Sequence, residues 1–148
     1  MVAQGMAREI TNEETLSIIN EADQEGLVHV CDNIDGHLGV ICNCCSCCCV
    51  FLNTKREFDI QTFSPSNYVA QIEAQDCIGC GTCEERCPME AVTVGGEEVA
   101  EVNEDLCIGC GVCTPTCPSE AVRLIQRKET SPPPDLNTFF TARFKAQA

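Results

Sequence analysis

The residues with the most chemistry to offer are cysteines. Cys77, Cys80, Cys83 and Cys87-Pro88 form C-x2-C-x2-C-x3-C-P, and Cys107, Cys110, Cys113 and Cys117-Pro118 repeat it. Three thiolates at two-residue intervals wrap one face of an iron–sulfur cubane, and the fourth, displaced by a helical turn, points at the neighbouring cluster. The spacing therefore predicts two [4Fe-4S] centres, one on Cys77, Cys80, Cys83 and Cys117, the other on Cys107, Cys110, Cys113 and Cys87. Gly79, Gly81, Gly109 and Gly111 let the loops approach inorganic sulfide and turn amide N–H groups toward it. Zinc competes for such ligands, but zinc knots usually pair C-x2-C units across longer loops, often with His.

A second set lies upstream: Cys42, Cys44, Cys45, Cys47, Cys48 and Cys49, with Cys31 eleven residues before the run. Cys42, Cys45 and Cys48 again have the spacing of three cubane ligands, which favours a third [4Fe-4S] cluster whose fourth ligand is Cys49, Cys44 or Cys31. A zinc site, redox-active thiols and a noncubane cluster are the alternatives. His29 is either a ligand or a packed residue.

These ligands need elements to carry them. CIGCGTCEERCPMEAV, from Cys77, aligns without gaps on CIGCGVCTPTCPSEAV, from Cys107, at an offset of 30 residues. Each unit reads as a strand, a cysteine loop, a short helix entered near Cys87-Pro88 or Cys117-Pro118, and a second strand. The strands are 69–73 with 91–94, and 99–102 with 121–125; Gly95-Gly96 is the turn between the halves. Upstream, Thr11 and Glu14 have capping-box spacing, Leu16, Ile19 and Ala22 share one helical face, and Gly26 is placed to stop the helix. The expected organisation is an N-terminal helix and cysteine-rich segment (1–52), a polar connector (53–67), the dicluster domain (68–126) and a Pro-rich tail (127–148). In that tail Asp135 would cap a helix placing Leu136, Phe140 and Phe144 on one stripe, with Phe139 beside it.

Fifteen cysteines in 148 residues, with no Trp and one Tyr, mean that sulfur chemistry rather than an aromatic core organises the chain. MVAQGMAREI contains no signal-peptide h-region, and the longest apolar run, Cys47 to Leu52, is too short to span a bilayer, so a cytoplasmic, reducing context is expected. The net charge is −14. Nucleic acid and anionic membranes, which need basic patches, are therefore poor partners. Residues 68–125 carry 11 acidic and 2 basic side chains, which suits a basic redox partner, whereas 126–148 carry 4 basic and 2 acidic ones.

Residues 68–125 resemble the bacterial two-cluster [4Fe-4S] ferredoxins, with all eight ligands, both prolines and the repeat in place. The resemblance implies an α+β fold, a ferredoxin-like pseudo-twofold β-α-β repeat around two [4Fe-4S] clusters that pass single electrons at low potential. Ile78 and Ile108 would then pack between the clusters and Tyr68 could lie near one. GLVHVCDN followed by ICNCCSCCCVFL and the dicluster motifs is similar to a group of ferredoxin-domain proteins of anaerobes that carry such a cysteine-rich segment. The expected role is electron transfer as a ferredoxin, or as the ferredoxin-type subunit of an anaerobic oxidoreductase complex docked in part by the tail, with catalysis in a partner. An enzyme reading would need the upstream cysteines to work with a base, for which only His29 and His37 are candidates. A third reading has the clusters merely holding a partner interface.

Overall fold

The computed structural model describes residues 1–64, 66–96 and 98–145, excepting the side chains of 142–145. Among the described residues, three two-stranded antiparallel sheets and four α-helices make a mixed α/β structure. Among the described residues, no helix is long and apolar enough to cross a membrane.

The N-terminal helix α1, Asn12–Gln24, starts where expected: Thr11 Oγ1 accepts from Glu14 N at 3.2 Å. The Glu14 carboxylate pairs with Arg8 instead of closing the capping box. It ends at Gly26, φ 75°, where Leu27 N donates to Ala22 O and Gly26 N to Asp23 O, both at 2.9 Å, the two bonds of a left-handed helix stop. Of the apolar face only Ala22 is buried, while Leu16 lies 60% exposed.

The cysteine-rich segment is more ordered than the helix-and-loop expectation. Strands β1, Val28–Cys31, and β2, Ile41–Cys44, form a hairpin with Val30 opposite Cys42 and Cys31 opposite Ile41. A second helix, α2, Val50–Phe58, follows, so the first part of the polar stretch expected as a connector is helical. Leu52, only 2% exposed, anchors that helix, and the polar residues Asn53 to Arg56 after it are half-buried, Lys55 pairing with Asp59 and Arg56 donating to Ser46.

Strands β3, Tyr68–Ile72; β4, Val92–Val94; β5, Ala100–Val102; and β6, Val122–Gln126, fall within a residue of their expected bounds. Pairing runs across the two repeat units: β3 with β6 (Ala70 opposite Leu124) and β4 with β5 (Thr93 opposite Glu101). Ala70, Val92, Ala100 and Val122 bury their side chains between the two ladders together with Cys83 and Cys113.

The expected helices differ most. In the first unit the helix α3, Thr82–Arg86, precedes Cys87-Pro88 instead of following it. Proline holds the residue before it extended, and Cys87 has φ −72°, ψ 110°. The second unit has turns only. Glu85 N donates to Gly81 O at 3.1 Å in α3, but its counterpart is Pro115, which has no N–H to close the same turn.

A second apolar cluster joins the upstream segment to this domain: Val28 and Leu52 pack with Met89, Ala91 and Val112. Arg86 adds polar ties, donating to Asp23 O (2.6 Å) and Gln24 O (3.1 Å) at the end of α1 and to Val112 O (3.1 Å). The tail returns over the chain through Asn67 and Ser131, which bond reciprocally, and Asp35 N, which donates to Pro134 O. Helix α4, Leu136–Lys145, is capped by Asp135, whose Oδ1 accepts from Asn137 N and Thr138 N. Phe139, not the expected stripe, faces inward; Leu136 and Phe140 are exposed, and the Phe144 side chain lies outside the described residues.

Two glycines fix how closely the cysteine loops sit. A Cβ on Gly109 would stand 2.1 Å from Tyr68 O, one on Gly79 2.2 Å from Glu98 O, and both residues have positive φ. Gly81 shares the positive φ but has open space around it. Gly81→Ala should therefore cost about 1–2 kcal/mol of backbone strain, whereas Gly109→Ala adds a main-chain collision and should cost several kcal/mol more, on the order of overpacking penalties. Chemical denaturation of the metal-loaded protein compares them; equal losses would contradict the close approach.

Candidate metal centre

The repeat places its cysteines in two groups. One cavity is lined by Cys107, Cys110 and Cys113 of the second loop and by Cys87 of the first motif, with Ala70, Met89, Val92 and Ile108 around them. Cys87 reaches this cavity because α3 ends immediately before it; its Sγ accepts from Ala91 N at 3.2 Å. In the other group Cys83 packs with Cys77 and Cys117, and the Cys117 charge is felt at Cys80 and Cys83. Cys77 Sγ accepts from Ala100 N at 3.5 Å. Each group contains three cysteines of one motif and the fourth of the other.

The electrostatics of the groups differ. Burial pushes the Cys113 thiol up to about 12 and raises Cys110, with the neighbouring cysteines adding to the effect. In the other group burial raises Cys83, but the Thr82 hydroxyl and N–H hold Cys80 below its ordinary value. For Cys117 burial acts upward and is outweighed by the Ser119 hydroxyl and by backbone N–H groups of Val122, Ser119 and Ala121. Two arginines attend only the second loop: Arg127 donates to Cys107 O (2.7 Å) and Tyr68 O (3.1 Å), and Arg86 to Val112 O. Ile78 is 65% exposed among the described residues, so it does not pack between the groups as expected. Ile108 instead packs into the cluster of Val28 and Leu52, because the upstream segment lies over the second loop. Tyr68 is partly exposed beside Ile108 and Gly109.

Upstream, the side chains that converge are Cys45, Cys47 and Cys48, a set that spacing alone did not single out. The Cys45 and Cys47 sulfurs are 2.8 Å apart and those of Cys47 and Cys48 3.6 Å. Cys42, expected with Cys45 and Cys48, is held in β2 opposite Val30, whereas the three that meet share the turn after that strand. Cys44 and Cys49 border the apolar cluster around Val28 and Leu52. Cys31 ends β1. Neither histidine joins a site: His29 Nδ1 donates to Asn43 Oδ1 at 2.9 Å and His37 Nδ1 to Asp32 Oδ2 at 2.7 Å.

Residues 70–124 match the family described as 4Fe-4S dicluster domain. This segment is a 4Fe-4S ferredoxin-type domain, a type of domain that points to iron–sulfur electron transfer. No curated protein matches the chain. The residues fit such a group on their own terms: four cysteines line one apolar cavity, loop glycines remove side-chain bulk beside it, and the buried hydroxyls of Thr114 and Thr116, in the turn between Cys113 and Cys117, lack any protein partner.

Thiophilic metal must displace the thiol protons it replaces. Thiols pushed up, as at Cys110 and Cys113, hold those protons more tightly than Cys80 and Cys117, which are pulled down. Reconstitution from iron and sulfide near neutral pH should thus fill the Cys77 group first, and raising the pH toward 9 should narrow the gap. EPR of samples frozen during loading measures the order; simultaneous loading at every pH would contradict it.

Proposed function

We propose that the chain is a one-electron carrier whose domain holds two [4Fe-4S] clusters with crossed ligation, Cys77, Cys80, Cys83 and Cys117 for one, Cys107, Cys110, Cys113 and Cys87 for the other. The observation carrying this reading is the cavity shared by Cys87 with the three cysteines of the opposite motif. A pseudo-twofold repeat accounts for the matching details of the halves: Gly79 and Gly109 meet the carbonyls of Glu98 and Tyr68, themselves thirty residues apart, and Glu90 and Glu120, also thirty residues apart, share φ 54°. The clusters would supply reversible single-electron uptake; the chain positions the thiolates, donates backbone N–H groups to sulfur and excludes water from Cys113.

The test is Cys87→Ala set beside Cys77→Ala. Cys87→Ala should remove the centre on Cys107, Cys110 and Cys113, leaving about 4 of the dicluster's 8 iron atoms and one reduced EPR signal. Cys77→Ala should remove the other signal. Loss of the same signal in both variants refutes crossed ligation.

A carrier with this charge meets partners with a basic face. The first loop, with Cys80 and Ile78 exposed and acidic residues about it, is the open edge for that encounter, while the upstream segment and tail cover the second loop. Redox partner proteins of an oxidoreductase complex fit this role, with the exposed Leu136 and Phe140 of α4 as further contact points. Raising ionic strength from about 0.01 to 0.5 M should slow reduction by a basic partner by about tenfold or more. Stopped-flow rates independent of salt would remove the charge argument.

A further inference from the structure

The upstream cysteines divide by geometry. Among the described residues, Cys45, Cys47 and Cys48 form the one trio of His, Cys, Asp or Glu donors whose ligand atoms all lie within 4.8 Å of one another. That distance separates two kinds of site. Two thiolates on one tetrahedral zinc, each at about 2.3 Å, stand about 3.8 Å apart. Thiolates on a cubane each bind a different iron and splay outward from its corners, so they stand farther apart. The cysteines of the dicluster domain behave in the second way: they surround a cavity without converging. The turn cysteines fall on the first side of that line, all three within 4.8 Å of one another: Cys47 and Cys48, 3.6 Å apart, already stand near the zinc separation, and Cys45 and Cys47, 2.8 Å apart, open by about 1 Å to reach it.

The surroundings fit a single cation. Arg56, from α2, donates to Ser46 Oγ at 2.9 Å and so fixes the turn between Cys45 and Cys47, while its charge is paired with the Glu57 carboxylate at 2.7 Å. Cys42 is committed to the hairpin, and Cys44 and Cys49 border the apolar cluster, so the turn itself offers three ligands. Cys47 and Cys48 are exposed, which leaves the fourth side to solvent.

We propose that Cys45, Cys47 and Cys48 bind one thiophilic divalent cation of the zinc class, with its fourth coordination position open to solvent. Binding replaces three S–H bonds with three metal–sulfur bonds and releases three protons to solvent; no electron moves. An open position on three protein ligands is the arrangement that lets a metal accept an exogenous ligand.

Metal analysis of the intact chain, purified with its clusters, tests this. The expected result is one zinc per chain beside the iron; Cys47→Ser should lower zinc by at least about tenfold and leave iron unchanged, while Cys42→Ser leaves both. Cobalt(II) added to zinc-stripped protein should give sulfur-to-cobalt charge-transfer absorption that Cys47→Ser lacks, and an added small thiol should shift the cobalt bands. Retention of metal by Cys47→Ser, its loss from Cys42→Ser, or about 12 iron atoms without zinc, the count for three cubanes, would overturn the assignment; cobalt bands unmoved by thiol would overturn the open position. The dicluster iron, read in the same samples, reports separately on the electron-transfer proposal.

Discussion

At Gly109 and Gly79 the backbone of a cysteine loop lies so close to the neighbouring chain that even a methyl group would strike a carbonyl oxygen, that of Tyr68 in one case and of Glu98 in the other. This contact is the constraint on which the rest depends. It holds each loop against main chain thirty residues from its counterpart's contact, so sulfur atoms far apart in sequence face one cavity. The apolar core could not do this alone, because the side chains buried between the ladders are small: Ala70, Val92, Ala100 and Val122, with two cysteines among them. A domain of this size sits near the lower limit for stability from burial, so metal–sulfur bonds and main-chain packing must share the work.

The dicluster half was legible because its signals are local. Cysteine spacing, the offset repeat and the strand bounds each depend on a few neighbouring residues, and the four strands lie within a residue of their expected positions. The helices of the two repeat units differ from expectation because proline, common at a helix entry, here forces an exit, and because Pro115 lacks the N–H that the aligned Glu85 supplies. Upstream, spacing points to Cys42 with Cys45 and Cys48, whereas the sulfurs that lie within 4.8 Å of one another are those of Cys45, Cys47 and Cys48, with Cys42 in β2 opposite Val30. Spacing in a cysteine run specifies ligands only when the backbone conformation is known, and the hairpin that sets it depends on pairing across a loop whose length hid the pattern. The tail shows the same limit. Asp135 was recognisable as a cap, but which phenylalanine turns inward depends on where the chain had already crossed Asn67 and Asp35.

The two halves are alike in sequence and unlike in surroundings, and the difference has one source. The upstream segment packs over the second loop through Val28 and Leu52, half-burying Ile108, while Ile78 on the first loop stays open. Burial raises the free-energy cost of adding negative charge. On that ground alone the covered centre would be the harder one to reduce. Arg127 and Arg86, donating to Cys107 O and Val112 O, place two positive charges on the same loop, and these favour added negative charge. Both arginines also tie down what covers the loop, Arg86 through the end of α1 and Arg127 through Tyr68. With both clusters bound as proposed, the groups that hold the cover in place would offset the electrostatic penalty it imposes, and a shielded centre would remain reducible beside an exposed one.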